Sequence, residues 1–323
     1  MTKKMAIGII GAGNIAVTAH LPVLSCLDNA SVTYVADIVD TAFAMNKCTP
    51  FIKIKDDLSV LPYCDVVLLA TPAVARHKYI EEFSRRKTPI FSEKPFALSV
   101  ETHRQYLSWN KKVTCNYMRR CFSSTEQLRQ IVLSQVFGKL KQVDITEGGI
   151  VRKTAKGKGH YADKSSFPDG YILTKAGFHT MSQLTSILSK YMLTVNDAHV
   201  SFQEDLDVDV EADLVAKNKN ERVPITYKTS LVRPYQNCSV FTFETATISL
   251  HHADPQAQIL VRSEKGNTSF CIDHDKRFAT SLYQAFYLRW KNFIQQLQSG
   301  EAIDAEFETA LDATRVIEEI YNQ

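Results

Sequence analysis

Several things a chain of this length could carry are missing. The seven cysteines (Cys26, Cys48, Cys64, Cys115, Cys121, Cys238 and Cys271) are odd in number and scattered, with no CxxC pair. That pattern leaves no zinc cluster, dithiol redox centre or disulfide framework, and reduced thiols in a cytoplasmic protein are expected. Neither sign of charge is in excess: 38 Lys and Arg meet 35 Asp and Glu, well mixed along the chain, for a net +3. Such a balance gives no argument for a nucleic-acid or membrane surface. No low-complexity tract or internal repeat interrupts the chain. The N-terminal MTKKMAIGIIGAG has a basic start and a short apolar run, but glycines and then polar residues end that run well before signal-peptide or membrane-span length. It reads as a buried strand. What is present is the composition of a globular protein, 45% hydrophobic and 23% charged over 323 residues, with core enough for two domains.

The first third alternates between two patterns. Short apolar runs rich in β-branched residues, at 5–10, 31–37, 64–72, 88–95 and 112–117, are bounded by Gly, Pro or charge, as strands buried on both faces are. Helix-length segments lie between them, AVARHKYIEEFSRR and SVETHRQYLSWN, the second with Ser99 as its N-cap. Strand, helix, strand repeated in this way predicts a doubly wound parallel sheet.

The first strand-to-helix turn reads GAGNIA, placing Gly11, Gly13 and Ala16 in a GxGxxG/A pattern. Gly11 allows a tight turn, Gly13 lets the backbone approach a pyrophosphate, and Ala16 lets helix pack on strand. Asn14 and Ile15 open the helix whose N-terminus faces the phosphates. Asp37 follows Ala16 by 21 residues, at the end of the second strand, where a carboxylate accepts ribose hydroxyls. A bound dinucleotide is expected. Ile38 comes next, so no Arg or Lys waits there for a 2′-phosphate, which favours NAD while leaving NADP open.

After about residue 118 the pattern changes. SSTEQLRQIVLSQVFG is amphipathic, with Leu128, Ile131, Val132 and Gln135 on one face and Gly138 as terminator. Strand-like alternation follows in KLKQVDITEGGIV, VPITYKTSLV, CSVFTFETATISLHH and AQILVRSEKGNTSFCI. Strands in succession without intervening helices predict an antiparallel sheet. The last 40 residues return to helix, with Leu282, Phe286, Trp290, Phe293, Ile294 and Leu297 forming a stripe read as core.

The segments GAGNIAVTAHLPVL, LLATPAVARH, FSEKPFALS, CNYMRR and GYILTKAGFH, in that order and at these separations, resemble the glucose-fructose oxidoreductase, inositol dehydrogenase and rhizopine-catabolism (Gfo/Idh/MocA) family. The resemblance implies an α/β protein with an N-terminal Rossmann domain over 1–118. A C-terminal α+β domain follows over 119–323, with a large open-faced, mainly antiparallel sheet. It implies a nicotinamide cofactor between them, and homodimers or homotetramers joined through that sheet. Within SEKP it makes Lys94 the catalytic lysine, Glu93 a cofactor-side contact, and Lys94–Pro95 a strained turn aiming the amine. Thr71, Pro72 and His77 resemble the cofactor-lining loop after the third strand, although that loop is one residue longer before the histidine.

The same resemblance exposes one departure. The family's helix begins DxGxH, whereas this chain reads Lys175-Ala-Gly-Phe-His179. His179 matches as acid/base or substrate-orienting residue; Lys175 stands where the aspartate is expected, and Ser182 does not supply the second acidic residue. On an α-helix Lys175 and His179 would stack on one face. With Lys94 directed to the same pocket, cation repulsion favours a neutral imidazole. The alternative use of the charge is to hold an anionic substrate group. A second basic cluster, Arg152, Lys153, Lys156, Lys158, His160 and Lys164, reads as a solvated loop, with phosphate as its natural guest if it binds. His251, His252 and Asp254 invite a metal reading, but adjacent strand histidines point to opposite faces.

These features predict an NAD(P)-dependent oxidoreductase transferring a hydride between nicotinamide and a sugar-like or nucleotide-linked sugar alcohol or ketone. Lys94 and His179 would handle the proton. Two other classes stay open: a redox-neutral or double-bond-reducing enzyme of the same fold, lyase-like or biliverdin-reductase-like, and a non-catalytic protein that senses a dinucleotide.

Overall fold

The computed structural model describes residues 4–39, 49–54, 57–149, 170–203, 206–271, 275, 278 and 280–323, and the chain forms two compact units. The first comprises Met1–Ala97, Glu101–Asn116 and Leu282–Leu311. Among its described residues six strands make one parallel sheet: β1 (Met5–Ile10), β2 (Ala30–Asp37), β3 (Phe51–Lys53), β4 (Val66–Leu69), β5 (Ile90–Ser92) and β6 (Val113–Cys115). Their order is β3-β2-β1-β4-β5-β6. Chain order reverses between β1 and β4, so the ligand crevice of such a sheet lies beyond the C-terminal ends of these two strands.

Helices α1 (Leu21–Ser25), α2 (His77–Arg85), α3 (Val100–Trp109) and α6 (Ser281–Ser299) flank the connections. β4 is buried at all four positions, as a strand covered on both faces must be. The predicted C-terminal stripe belongs to this core. Trp290 of α6 stacks on Phe91 of β5, ring centroids 3.9 Å apart, and Phe286, Phe293 and Ile294 are buried with it. Leu282 is 40% exposed, so the buried stripe starts one turn later than expected.

The second unit comprises Leu98–Val100, Tyr117–Ser281 and Asp312–Gln323. Its eight described strands are β7 (Leu140–Gly148), β8 (Met192–Gln203), β9 (Leu206–Lys217), β10 (Arg222–Ser230), β11 (Cys238–Phe243), β12 (Ala246–Leu250), β13 (Ile259–Ser263) and β14 (Gly266–Phe270). They run β14-β13-β12-β11-β7-β10-β9-β8. Every neighbouring pair is antiparallel except β7 and β10, which are parallel with Tyr227 opposite Ile145. Helices α4 (Ser123–Ser134) and α5 (Phe178–Ile187) cover the sheet. Leu184 and Ile187 share one small cavity with Ile145, Phe241 and Leu250. The chain closes with α7 (Ala305–Glu308) and α8 (Leu311–Tyr321). Helix α4 stops at Gln135, whose φ of 53° is left-handed, and the expected terminator Gly138 falls in the following turn. Among the described residues no helix is long and apolar enough to cross a membrane.

Candidate active site

The glycine turn sits at the switch point of the first unit's sheet. Gly11 has φ +99°, and a Cβ there would lie 2.8 Å from both C and O of Ala70, so only glycine fits between β1 and the end of β4. A Cβ on Gly13 would meet nothing within 4 Å, leaving that backbone open to a ligand. The helix that follows opens as a π-helical turn, Ala16–His20, before α1. Its Ala16 is fully buried, as the pattern required. Asp37, at the end of β2, accepts the Ala12 N–H on Oδ2 at 2.6 Å and the Val39 N–H on Oδ1 at 3.0 Å. The carboxylate thus ties the turn to its strand, and each oxygen keeps a lone pair for a hydroxyl. Beside it Ile38 and Val39 are 61% and 50% exposed. Past β4, the Thr71 Oγ1 is buried without a hydrogen-bond partner. An open glycine backbone, a carboxylate with spare acceptors and an unsatisfied hydroxyl around one crevice fit a dinucleotide.

Lys94 follows β5, half-buried, with a cis peptide to Pro95. Its surroundings were only partly foreseen. Glu93 is 9% exposed, and its carboxylate is directed to three donors: Nε2 of His20 (2.8 Å) and Nδ2 of Asn116 (2.6 Å) on Oε1, and the Lys94 N–H (3.1 Å) on Oε2. Burial alone would raise its pKa. The His20 and Asn116 hydrogen bonds and the Lys94 charge outweigh that and hold it below the usual carboxylate range. His20 is itself fixed: the Trp290 indole, which can only donate, gives its hydrogen to Nδ1 at 2.9 Å. Neutral His20 therefore carries its proton on Nε2, facing Glu93. The loop's other flank is held by Arg76, 1% exposed, which donates to Glu93 O at 2.7 Å, Thr71 O at 2.6 Å and Pro95 O. Pro72 precedes a short 3₁₀ turn, Ala73–Ala75. His77 is exposed at the start of α2, its ring beside Tyr106 and Trp109.

In the second unit, the site helix differs from the expected uniform α-helix. It begins with a π turn, Leu173–Gly177, and becomes α-helical as α5. A Cβ on Gly177 would lie 2.7 Å from Leu173 Cδ2, so a side chain there would press on the buried Leu173 of the wide turn. Such π turns are frequent at functional sites. The helix start is capped from elsewhere in the fold. Asp207 of β9 accepts the N–H groups of Tyr171 (2.5 Å) and Ile172 (2.8 Å), and Tyr321 Oη accepts that of Leu173 (3.2 Å). Lys175 Nζ donates to Tyr171 Oη at 2.8 Å and lies 5.0 Å from that ring's centroid. His179 is half-buried on the first turn of α5, and the Ser182 hydroxyl donates to its carbonyl at 2.9 Å.

The residue after His179 anchors this turn to a buried polar network. Thr180 donates to Glu147 Oε2 at 2.7 Å; Tyr227 donates to the same oxygen at 3.2 Å and Arg119 to Oε1 at 3.2 Å, while His252 Nε2 lies 3.8 Å from Oε1. Burial raises the Glu147 pKa, but His252, the Arg119 guanidinium and Thr180 more than reverse this and bring it down to about 2. Arg120 holds the next turn through Ser182 O at 2.9 Å. His251 is exposed and His252 buried against Ser239; both lie past the end of β12 rather than on a strand, with their ring centroids 6.4 Å apart, so the expected opposite-face argument does not apply to them. The basic cluster Arg152, Lys153, Lys156, Lys158, His160 and Lys164 lies outside the described residues.

His20, Arg76, Asn116, Arg119 and Glu147 went unread in the sequence. All five sit inside quoted segments, and only their contacts in the fold, with burial of all but the half-buried Arg119, mark them out.

Comparison with known proteins supports these assignments of fold. Residues 5–119 match the profile of an oxidoreductase family with an NAD-binding Rossmann fold. No curated protein matches the sequence. Among solved structures, a 3-ketoreductase from Actinomadura kijaniata in complex with NADP and TDP-benzene superposes with a TM-score of 0.81 at 16% identity, covering 99% of this chain and 98% of that one. An oxidoreductase from Agrobacterium radiobacter in complex with NAD+, L-tartaric acid and magnesium gives 0.76 at 14% identity, covering 99% and 96%. At these identities the likeness is one of fold.

Proposed function

We propose, from the match of residues 5–119 to the Gfo/Idh/MocA oxidoreductase family, that the protein is an NAD(H)-dependent dehydrogenase or reductase. Its substrate is a sugar-like or nucleotide-linked sugar alcohol or ketone. The observation that carries this reading is Lys94, placed at the C-terminal end of β5 beside the switch-point crevice and held from both sides by Glu93 and Arg76. When bound, the dinucleotide supplies or accepts the hydride. Gly11, Gly13, Asn14 and Ile15 would receive its phosphates, Asp37 would accept its ribose hydroxyls, and Thr71 and Pro72 would line the bound cofactor.

As the carbonyl carbon gains a hydride, its oxygen becomes an alkoxide and needs a proton. Lys94 Nζ delivers it as general acid and takes it back in the oxidative direction. His179 takes the acid/base or substrate-orienting role that the family resemblance assigns to it. Lys175, a cation that stands where the family has an aspartate and donates to Tyr171 Oη, holds an anionic group of the substrate. That assignment agrees with a nucleotide-linked sugar, and the Actinomadura ketoreductase of the same fold was crystallised with TDP-benzene. Ile38 after Asp37 favours NAD.

The test is a panel of sugars and nucleotide sugars incubated with each cofactor, following reduced-nicotinamide absorbance. Cofactor-dependent turnover of at least one member is expected, lost with Lys94→Ala. One observation favours a second reading: Lys175 in place of the family's aspartate suits a redox-neutral or double-bond-reducing reaction. Tight NADH binding with no redox turnover across the panel would favour that reading.

A further inference from the structure

Arg76 is among the largest fully buried side chains of the protein, and burying a cation is costly unless it is tightly bound. Its guanidinium bonds to main-chain oxygens of two loops. Nη1 donates to Glu93 O and to Pro95 O, and Nη2 to Thr71 O. The three carbonyls lie just past the C-terminal ends of β4 and β5. Nη1 thus bridges the peptide groups before and after the Lys94–Pro95 pair, and Nη2 fixes the neighbouring loop to them. A planar fork imposes relative positions on its acceptors, which the single point charge of a lysine does not.

The fork is itself anchored. Arg76 N–H donates to Ala73 O at 3.1 Å, and Arg76 O accepts from Tyr79 and Ile80, both at 3.0 Å. It therefore hangs from the first turn of α2. Those backbone bonds would form with almost any residue at 76, so starting α2 does not explain a buried guanidinium.

We infer that Arg76 is the positioning residue of Lys94: its guanidinium clasps the loops after β4 and β5 and so sets where the lysine amine is presented. This rests on the reading of Lys94 as the proton-transferring amine. Glu93 and Arg76 divide the task, Glu93 holding the Lys94 N–H and Arg76 the carbonyls on either side.

The experiment compares the parent with Arg76→Met and Arg76→Lys. Hydrogen bonds to a charged group are each worth about tenfold or more in a local opening equilibrium. Amide exchange read by mass spectrometry on the cofactor-free protein is therefore expected to accelerate about tenfold or more in segments 70–76 and 92–98 of Arg76→Met. Exchange in β1 and β2 is expected to be unchanged, and Arg76→Lys to fall between. Unchanged exchange in the two loops of a folded variant overturns the clasp, and Arg76→Lys supplies that comparison should Arg76→Met not fold.

In steady state kcat is expected to drop with KM nearly constant, and Arg76→Met placed on Lys94→Ala is expected to cost nothing further. A merely structural arginine would lower stability and add its loss to that of Lys94→Ala, and additive losses overturn the positioning role. If the parent turns over no substrate, the dehydrogenase reading fails, while the exchange data still decide whether Arg76 holds the lysine loop.

Discussion

Glu147→Gln tests whether the polar network beneath His179 holds the second unit together. The native carboxyl has a pKa of about 2 in place of the ordinary 4.5, and at 1.36 kcal/mol per pH unit that gap corresponds to about 3 kcal/mol. The sign follows from the direction. A carboxyl whose folded value is depressed contributes its full stabilisation above its unfolded value and loses it as pH falls toward the folded one. The parent is therefore expected to lose about 3 kcal/mol from this group between about pH 5 and pH 2. Glutamine has the same shape but cannot titrate, so the variant lacks that component. Near neutral pH the variant is expected to be less stable by about 3–5 kcal/mol, because the Arg119 charge is left buried against an amide. The gap is expected to narrow steadily in acid. Urea titrations at pH 7, 5, 4 and 3 measure it, followed by far-ultraviolet circular dichroism because both tryptophans, Trp109 and Trp290, belong to the first unit. Parallel stability curves for parent and variant would refute the reasoning.

Three further outcomes are expected. Lys94→Ala is expected to lower kcat by ~10²–10⁴ while NADH binding survives; a folded variant with parental kcat would remove Lys94 from the chemistry. Lys175→Ala is expected to raise KM for an anionic substrate and weaken competition by anionic analogues with a smaller effect on kcat, with Tyr171→Phe, which removes the hydroxyl partner, shifting KM in the same direction. A neutral substrate that suffers equally would refute the anion role. Gly11→Ala is expected to destabilise the first unit by at least ~1–3 kcal/mol from the left-handed backbone alone and to weaken NADH binding. Thermal melts and cofactor titrations read the two effects separately, and parental values in both would contradict the tight turn.

What the sequence made legible follows the periodic signal. β1 and the glycine turn lie where the apolar run and GxGxxA placed them, and Asp37 does end β2, because buried parallel strands advertise themselves as short β-branched runs. The β8–β9 hairpin escaped. Asp207, Asp209, Glu211 and Asp213 alternate with apolar residues in its second strand, as a strand's polar positions do, but four acidic residues of low strand propensity mask that period. In the fold three of these charges have partners: Asp207 caps the site helix, Asp209 meets Arg233 at 2.9 Å, and Glu211 meets Lys228 at 3.0 Å. The three-residue β3 is too short to carry a pattern. Both π turns escaped as well, since one extra residue per turn leaves no mark in an amphipathic stripe. Lys94 and His179, to which the proton handling is assigned as a proposal, were picked out by motifs. Their supports, His20 and Trp290 under Glu93, Arg76 across the lysine loop, and Glu147 beneath Thr180, depend on contacts between residues far apart in the chain.

The central claim, that this chain binds and uses a nicotinamide dinucleotide at its glycine turn, is tested most directly by fluorescence titration of the purified protein with NADH and NADPH. Saturable NADH binding is expected, tighter than that of NADPH and weakened in Asp37→Ala. Clear preference for NADPH would contradict the role given to Asp37 and Ile38, and no binding of either would contradict the account as a whole.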